Sequence, residues 1–282
     1  MSVTALAGLL LLPLTACGTQ GPGGGGSASP STRPADPPTG CGQQTFYAPS
    51  EDLTPKVEWR SFQRKEADRI TSVQPPRNLD PPAGKAMKIV VEPGDSPVES
   101  GWRAEAIGPV ESSESGLRHY RWSTLLDDLY QDSEVGKPNW QVVAQWHQEG
   151  DTLAAGGSPP LAVIIEDGKF KLNLSRPDPA HPDRTVDLGP RHVIADATED
   201  VWHTFDLQVR WAANDAGSVQ VFHNGALTPT PGTESVPTLY PLRSDPAKPG
   251  TVYMKLGLYR AKNTAVTDKS VVYHDEMRAW QC

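Results

Sequence analysis

The chain has 282 residues, enough for one domain with a sizeable core. Its formal charge of −8 argues against nucleic acid as a partner, because phosphate recognition calls for a basic excess. Helical periodicity is scarce throughout, which sets aside an all-helical fold.

Residues 6–14 form an apolar run too short to span a bilayer. It ends in Leu14-Thr15-Ala16-Cys17, which resembles the lipobox of bacterial lipoproteins. That resemblance implies a signal peptide over 1–17, cleaved so that Cys17 carries lipid, with membrane contact only through this anchor. No Lys or Arg precedes the run, so a plain secretory signal is the alternative; both routes export the protein to a bacterial surface or beyond. In 18–40, 15 of 23 residues are Gly, Pro or Ser, a composition with almost nothing to bury, and the segment is expected to be a disordered tether. The folded domain is then 41–282, with Cys41 and Cys282 at its two ends. In an oxidising compartment these two are expected to form a disulfide rather than remain free thiols.

Within the domain, short alternating or apolar runs read as strands: 86–92, 101–106, 118–123, 140–146, 161–165, 169–174, 202–211, 218–222, 253–259 and 271–274. Turn signals separate them, notably Pro93-Gly94-Asp95, Glu166-Asp167-Gly168, Asn214-Asp215-Ala216-Gly217 and His223-Asn224-Gly225. The 202–211 and 217–225 stretches predict a hairpin followed by an Asn-Gly turn. Residues 124–131 could make a helical turn, with Leu125, Leu126 and Leu129 on one side, and the Pro-rich 177–190 and 228–250 read as ordered loops or cleft walls. The pattern predicts an all-β fold, an antiparallel sandwich or jelly roll; the 202–225 pair resembles one in concanavalin-like jelly rolls, and that resemblance implies a β-jelly roll sandwich of two antiparallel sheets with a concave groove.

Three of these strands carry polar residues on one face, because side chains alternate along a strand. Arg103 and Glu105 share a face, with Arg103 offering a bidentate fork for a carboxylate and Glu105 either orienting that fork or serving as its surface ion-pair partner. Gln145 and His147 share another, and a neutral imidazole is a usable base near neutrality. Tyr253, Lys255 and Tyr259 form the third, with Gly257 leaving room for a ligand to approach the backbone. Each set has a plain reading too: a satisfied core histidine, a snorkelling lysine, a surface ion pair. Trp102, Trp146 and Tyr120 read as core or cleft-wall residues, Glu111 and Glu114 as solvated loop charge, and His119 has no assignable side.

The segments Arg103-Ala104-Glu105, Gln145-Trp146-His147 and Tyr253-Met254-Lys255-Leu256-Gly257-Leu258-Tyr259 resemble the motifs of jelly-roll polysaccharide lyases, a group that includes alginate, glucuronan and heparin I-type lyases. Together with 273–278 they look most like the glucuronan and heparin lyase-like branch; alginate lyases usually carry another Arg shortly after the Glu, where this chain has Ala106. The resemblance implies β-elimination on an acidic polysaccharide with 1,4-linked uronic acids, leaving 4,5-unsaturated ends. Gln145, His147 and Tyr259 would be catalytic: Gln145, helped by Arg103, neutralises the uronate carboxylate, His147 takes the C5 proton, and Tyr259 protonates the departing O4. Arg103, Glu105, Tyr253 and Lys255 would bind substrate. No metal or organic cofactor is required, with calcium admitted only as a structural ion, and a monomer is expected. The chief alternative is a non-catalytic carbohydrate-binding or adhesion domain, which predicts that these side chains do not converge or that aromatic rings dominate the groove.

Overall fold

The computed structural model describes residues 38–48, 50, 53, 59–76, 84–99, 101–128, 140–260 and 269–282. The expected signal peptide, lipobox Cys17 and nearly all of the expected tether lie outside the described residues. Among those described there is no α-helix, and short 3-10 turns lie at Ala67–Arg69 and Ser113–Ser115. No described helix is long and apolar enough to cross a membrane.

The strands are β1 (Gln44–Ala48), β2 (Ser61–Gln63), β3 (Ile70–Val73), β4 (Ala86–Val91), β5 (Trp102–Glu111), β6 (Leu117–Asp128), β7 (Gln141–Glu149) and β8 (Leu161–Glu166). They continue with β9 (Lys169–Pro177), β10 (Thr185–Asp187), β11 (His192–Asp196), β12 (Trp202–Arg210), β13 (Ser218–His223), β14 (Ala226–Thr228), β15 (Thr251–Arg260) and β16 (Ser270–Gln281). They form two antiparallel 8-stranded sheets. The first runs β14-β13-β12-β6-β16-β4-β3, with β1 also on β16. The second runs β10-β9-β8-β7-β15-β5-β2, with β11 also on β9. This is the expected all-β sandwich.

The core lies between the sheets and is rich in aromatic rings. Trp122, Trp146, Tyr120 and Phe205 are fully buried. Tyr120 meets Trp146 edge-on at 4.9 Å, and Trp122 stacks on Phe205 at 5.2 Å, arrangements worth about 0.5–1.5 kcal/mol each beyond their buried area. Trp211 Nε1–H donates to Tyr120 Oη at 2.9 Å, which satisfies both polar groups, whereas Trp146 Nε1–H is buried with no partner in the structure. A second polar link crosses the core. Trp122 Nε1–H donates to Thr124 Oγ1 (3.1 Å), the Thr124 hydroxyl donates to His274 Nδ1 (3.0 Å), and His274 Nε2–H donates to the Gly257 carbonyl (3.0 Å). Burial pushes the His274 pKa down to about 4, so the ring is neutral and has one donor and one acceptor nitrogen, both used. The link ties β16 of one sheet to β15 of the other.

Three expectations are corrected. Thr124–Asp128 is not helical: it is the end of β6, where Leu125 pairs with Trp202 and Tyr273, and Leu126 with Val272. Two long neighbouring strands override a weak local helical spacing. The 177–190 segment is not all loop, since β10 forms within it and pairs with β9. Glu111 is not solvated: it is 3% exposed at the end of β5 and accepts from Arg118 Nε at 3.1 Å. His119, left unplaced by sequence, is buried and meets Asp206 Oδ1 at 2.9 Å. The β12–β13 hairpin forms as expected, and Asn224-Gly225 turns into β14 with positive φ at both residues.

Cys41 and Cys282 are disulfide-bonded across a sequence separation of 241 residues. Such a bridge fits an oxidising compartment. Reducing it, or replacing Cys41 by Ser, is expected to cost about 2–5 kcal/mol. Thermal unfolding with and without reductant measures this; an unshifted midpoint would show that the bridge adds nothing.

Candidate active site

β5, β15 and β7 lie side by side in the second sheet, and register places their polar faces together. Tyr259 is opposite Arg103, Gly257 opposite Glu105, Lys255 opposite Gln145, and Tyr253 opposite His147. All seven sequence-derived candidates therefore share one face of one sheet. The intervening residues Ala104, Trp146, Met254, Leu256 and Leu258 point the other way and fill the core. That burial fixes the register, because a one-residue slip would bring the polar set into the core.

Alternation fails in β7. A bulge in β7 breaks the pairing between Val142 and Ala144, so Val142 turns to the groove while Val143 joins the core. Strict alternation from Gln145 would have put Val143 there instead.

The floor of the site is a buried ionic network. Arg103 Nη1 donates to Glu105 Oε2 at 3.2 Å, and Lys255 Nζ lies 3.7 Å from the same oxygen. Gln145 Nε2 donates to the other Glu105 oxygen. Lys255 also donates to Gln63 Oε1 at 2.7 Å, and Gln63 Nε2 donates to Glu99 Oε2 at 2.6 Å. Glu105, Gln145 and Lys255 are each 1% exposed. Burial, opposed by the Glu105 charge, holds the Lys255 ammonium below the usual lysine range. Two cations thus share one carboxylate in a place with little water. Arg103 Nε is buried with no partner in the structure. Neither Glu105 nor Lys255 borders the two clefts that flank His147; both lie beneath the side chains that do.

His147 stands above this floor, partly exposed. Its Nδ1 lies 3.0 Å from the Gln148 carbonyl oxygen, which can only accept, so Nδ1 carries the proton and Nε2 keeps its lone pair. Burial pushes its pKa below the ordinary value, the carbonyl bond opposes this, and the Lys255 charge adds to the lowering. Burial also pushes the Tyr253 phenol up. The Tyr259 ring has the Arg103 guanidinium 4.0 Å from its centroid and Trp140 edge-on at 5.2 Å.

Two clefts meet at His147. One, about 580 Å³, is bordered by Arg60, Gln63, Glu99, Ile107, Glu149 and Tyr253. The other, about 390 Å³, is bordered by Arg103, Trp140, Gln145, Asn173, Arg191 and Tyr259. Both are in the size range of sites for small ligands, roughly 300–1,000 Å³. His147 and Tyr259 border the same cleft, and the aromatic rings there accompany polar groups rather than dominate them.

Sequence reasoning missed Gln63, Glu99, Asn173, Arg191 and Gly101. Gln63 sits on a three-residue strand with no readable alternation, and Arg191 follows Pro190 in a Pro-rich segment. Gly101 makes space for the site: a Cβ there would come within 2.3 Å of Tyr259 Cε2 and 3.0 Å of Arg103 Nη2. The reason for Gly257 also differs from the one expected. A Cβ at 257 would meet the Ala104 carbonyl oxygen at 2.3 Å, so the neighbouring strand, not a ligand, requires the glycine. Among the described residues no group of three or more His, Cys, Asp or Glu side chains is placed to hold a metal ion.

Residues 53–278 match the sequence model of the family described as "Polysaccharide lyase". No curated protein sequence gives a significant match. Among solved structures, the fold is similar to an endo-β-1,4-glucuronan lyase from the fungus Trichoderma reesei, with TM-score 0.62, 16% identity, and coverage of 85% of this chain and 96% of that one. It is also similar to a family 7 alginate lyase solved in complex with substrate, with TM-score 0.53, 13% identity and coverage of 82% and 96%. A PL-14 alginate lyase from Aplysia kurodai gives TM-score 0.53, 10% identity and coverage of 86% and 100%.

Proposed function

The chain belongs to the polysaccharide lyase family, and from that premise we propose that it cleaves 1,4-linked uronic-acid-containing polymers, glucuronan foremost, by β-elimination. The observation that carries this reading is the buried floor in which Arg103 and Lys255 share the single carboxylate of Glu105 beneath His147 and Tyr259. Such a floor is short of negative charge, and a substrate carboxylate supplies it. With that carboxylate held by Arg103 and Gln145, the negative charge that develops at C5 is spread onto a group already neutralised.

His147 Nε2 takes the C5 proton. The C5–H electron pair becomes the C4–C5 double bond, the C4–O4 bond breaks, and Tyr259 gives its phenolic proton to O4. The products are a 4,5-unsaturated uronate end and a new hydroxyl end. Glu105 and Lys255 act through their neighbours, Glu105 by fixing the Arg103 fork and the Gln145 amide. Tyr253 borders the adjoining cleft and is placed to meet the next sugar. The scheme invokes neither a metal nor an organic cofactor. In the same reading the mature protein is an exported monomer, either held at a bacterial surface by lipid on Cys17 or secreted.

Glucuronan leads because the Arg103-Ala104-Glu105 and Gln145-Trp146-His147 motifs resemble that branch, and the Trichoderma enzyme shares the fold. The test is ultraviolet absorbance of the unsaturated uronate across glucuronan, alginate, heparin and hyaluronan. The expected result is the fastest rise with glucuronan. A faster rise with another polymer replaces glucuronan, and no rise with any of them overturns the elimination reading.

A further inference from the structure

The cleft that holds Arg103, His147 and Tyr259 is also bordered by Arg191, and the described residues that border it include no carboxylate. The cleft on the other side of His147 carries both Glu99 and Glu149. Arg191 is tightly held. Its Nε donates to Asn173 Oδ1 at 2.9 Å, its Nη1 donates to Glu166, and its Nη2 is 4.0 Å from Asp187. Asn173 is itself fixed through Ser175, 3.1 Å away, which donates to Asp187 at 3.1 Å. Neither Glu166 nor Asp187 borders the cleft, and Glu166 is shared with Lys171 at 2.9 Å. The Arg191 side chain remains 28% exposed. Asn173 pairs with Ala162, which pairs with Gln145, so two strand spacings, about 10 Å, separate Asn173 from the reacting centre. That is within reach of a neighbouring sugar ring.

Resting on the elimination reading above, the geometry points to Arg191 as a second anion-binding point: it takes the carboxylate of a sugar adjoining the reacting uronate and so favours polymers with contiguous uronates. The fork is pre-set by Asn173 and Glu166, so little side-chain freedom is lost on binding.

The test uses oligosaccharides of glucuronan and of hyaluronan, in which uronate alternates with an uncharged sugar. Binding is measured by calorimetry in a His147→Ala background, so that no cleavage intervenes. Arg191→Gln should weaken glucuronan-oligomer binding about 10-fold to 100-fold, the loss of a charge-assisted hydrogen-bonded contact. Hyaluronan-oligomer binding should be unchanged. Arg191→Lys, which keeps the charge without the fork and disturbs the fold least, should recover part of the loss. With His147 intact, Arg191→Gln should raise KM for glucuronan at unchanged kcat. Equal glucuronan affinity in Arg191→Gln and the parent overturns the proposal, as does an equal loss on both oligomers. Failure of the parent enzyme to produce unsaturated ends from any polymer sinks the elimination reading instead, and the calorimetry still decides what Arg191 does.

Discussion

Replacing His147 by Ala, or Tyr259 by Phe, is expected to lower turnover on the preferred polymer roughly 10²-fold or more, with thermal stability nearly unchanged. Tyr259→Phe keeps the ring that lies against Arg103 and Trp140 and removes only the hydroxyl, so its effect isolates proton donation to O4. The same enzyme should show an acidic limb in kcat/KM that lies below the ordinary histidine value of about 6.5. The sign follows from the environment of His147. Burial disfavours the imidazolium and Lys255 repels it, so the ring stays neutral, and Nε2 stays available, to lower pH than in water. As pH falls through the lowered pKa, the base is lost. The limb should persist in Tyr259→Phe and vanish in His147→Ala. A Tyr259→Phe variant with near-parental turnover would remove the phenol from the chemistry.

Glu105→Ala is the second large effect expected, and it falls on stability as well as rate. The substitution leaves Arg103 and Lys255 buried with no carboxylate between them and removes the acceptor that fixes Gln145. Stranding buried charge in this way costs about 3–5 kcal/mol. Chemical denaturation measures it, and a loss under about 1 kcal/mol would mean that water reaches this network freely. Glu105→Gln keeps the shape and one acceptor, so it should fold better than Glu105→Ala. It should still turn over poorly, because the amide cannot fix the guanidinium fork as a carboxylate does.

The central strands were legible because each mixes fully buried apolar residues with polar ones at a period of two. Trp146 between Gln145 and His147, and Leu256 and Leu258 on either side of Gly257, admit only one facing. The co-planarity of three sequence-distant motifs followed from that parity together with the family resemblance, since no single strand shows which neighbours it will have. What stayed hidden depends on partners. β2 and β10 are three residues each, too short for a period, and exist because β5 and β9 offer them an edge. The bulge at Val143 reverses a local parity through pairing, not composition. Glu111 looked solvated because its cation, Arg118, lies across a turn on the next strand. The groove's ends, with Gln63 and Glu99 on one side and Asn173 and Arg191 on the other, come from short strands and loops that carry no motif.

The bridge between Cys41 and Cys282 has a mechanical consequence. Any pull transmitted through the segment ahead of Cys41 passes across the disulfide into the end of β16, as well as into β1 beside it. β16 is hydrogen-bonded to β6 along most of its length and to β4 and β1 at its two ends. Load is therefore shared among several ladders in the sheet opposite the groove, and a tug from a moving polymer or a flowing medium need not peel open the strands that hold His147 and Tyr259.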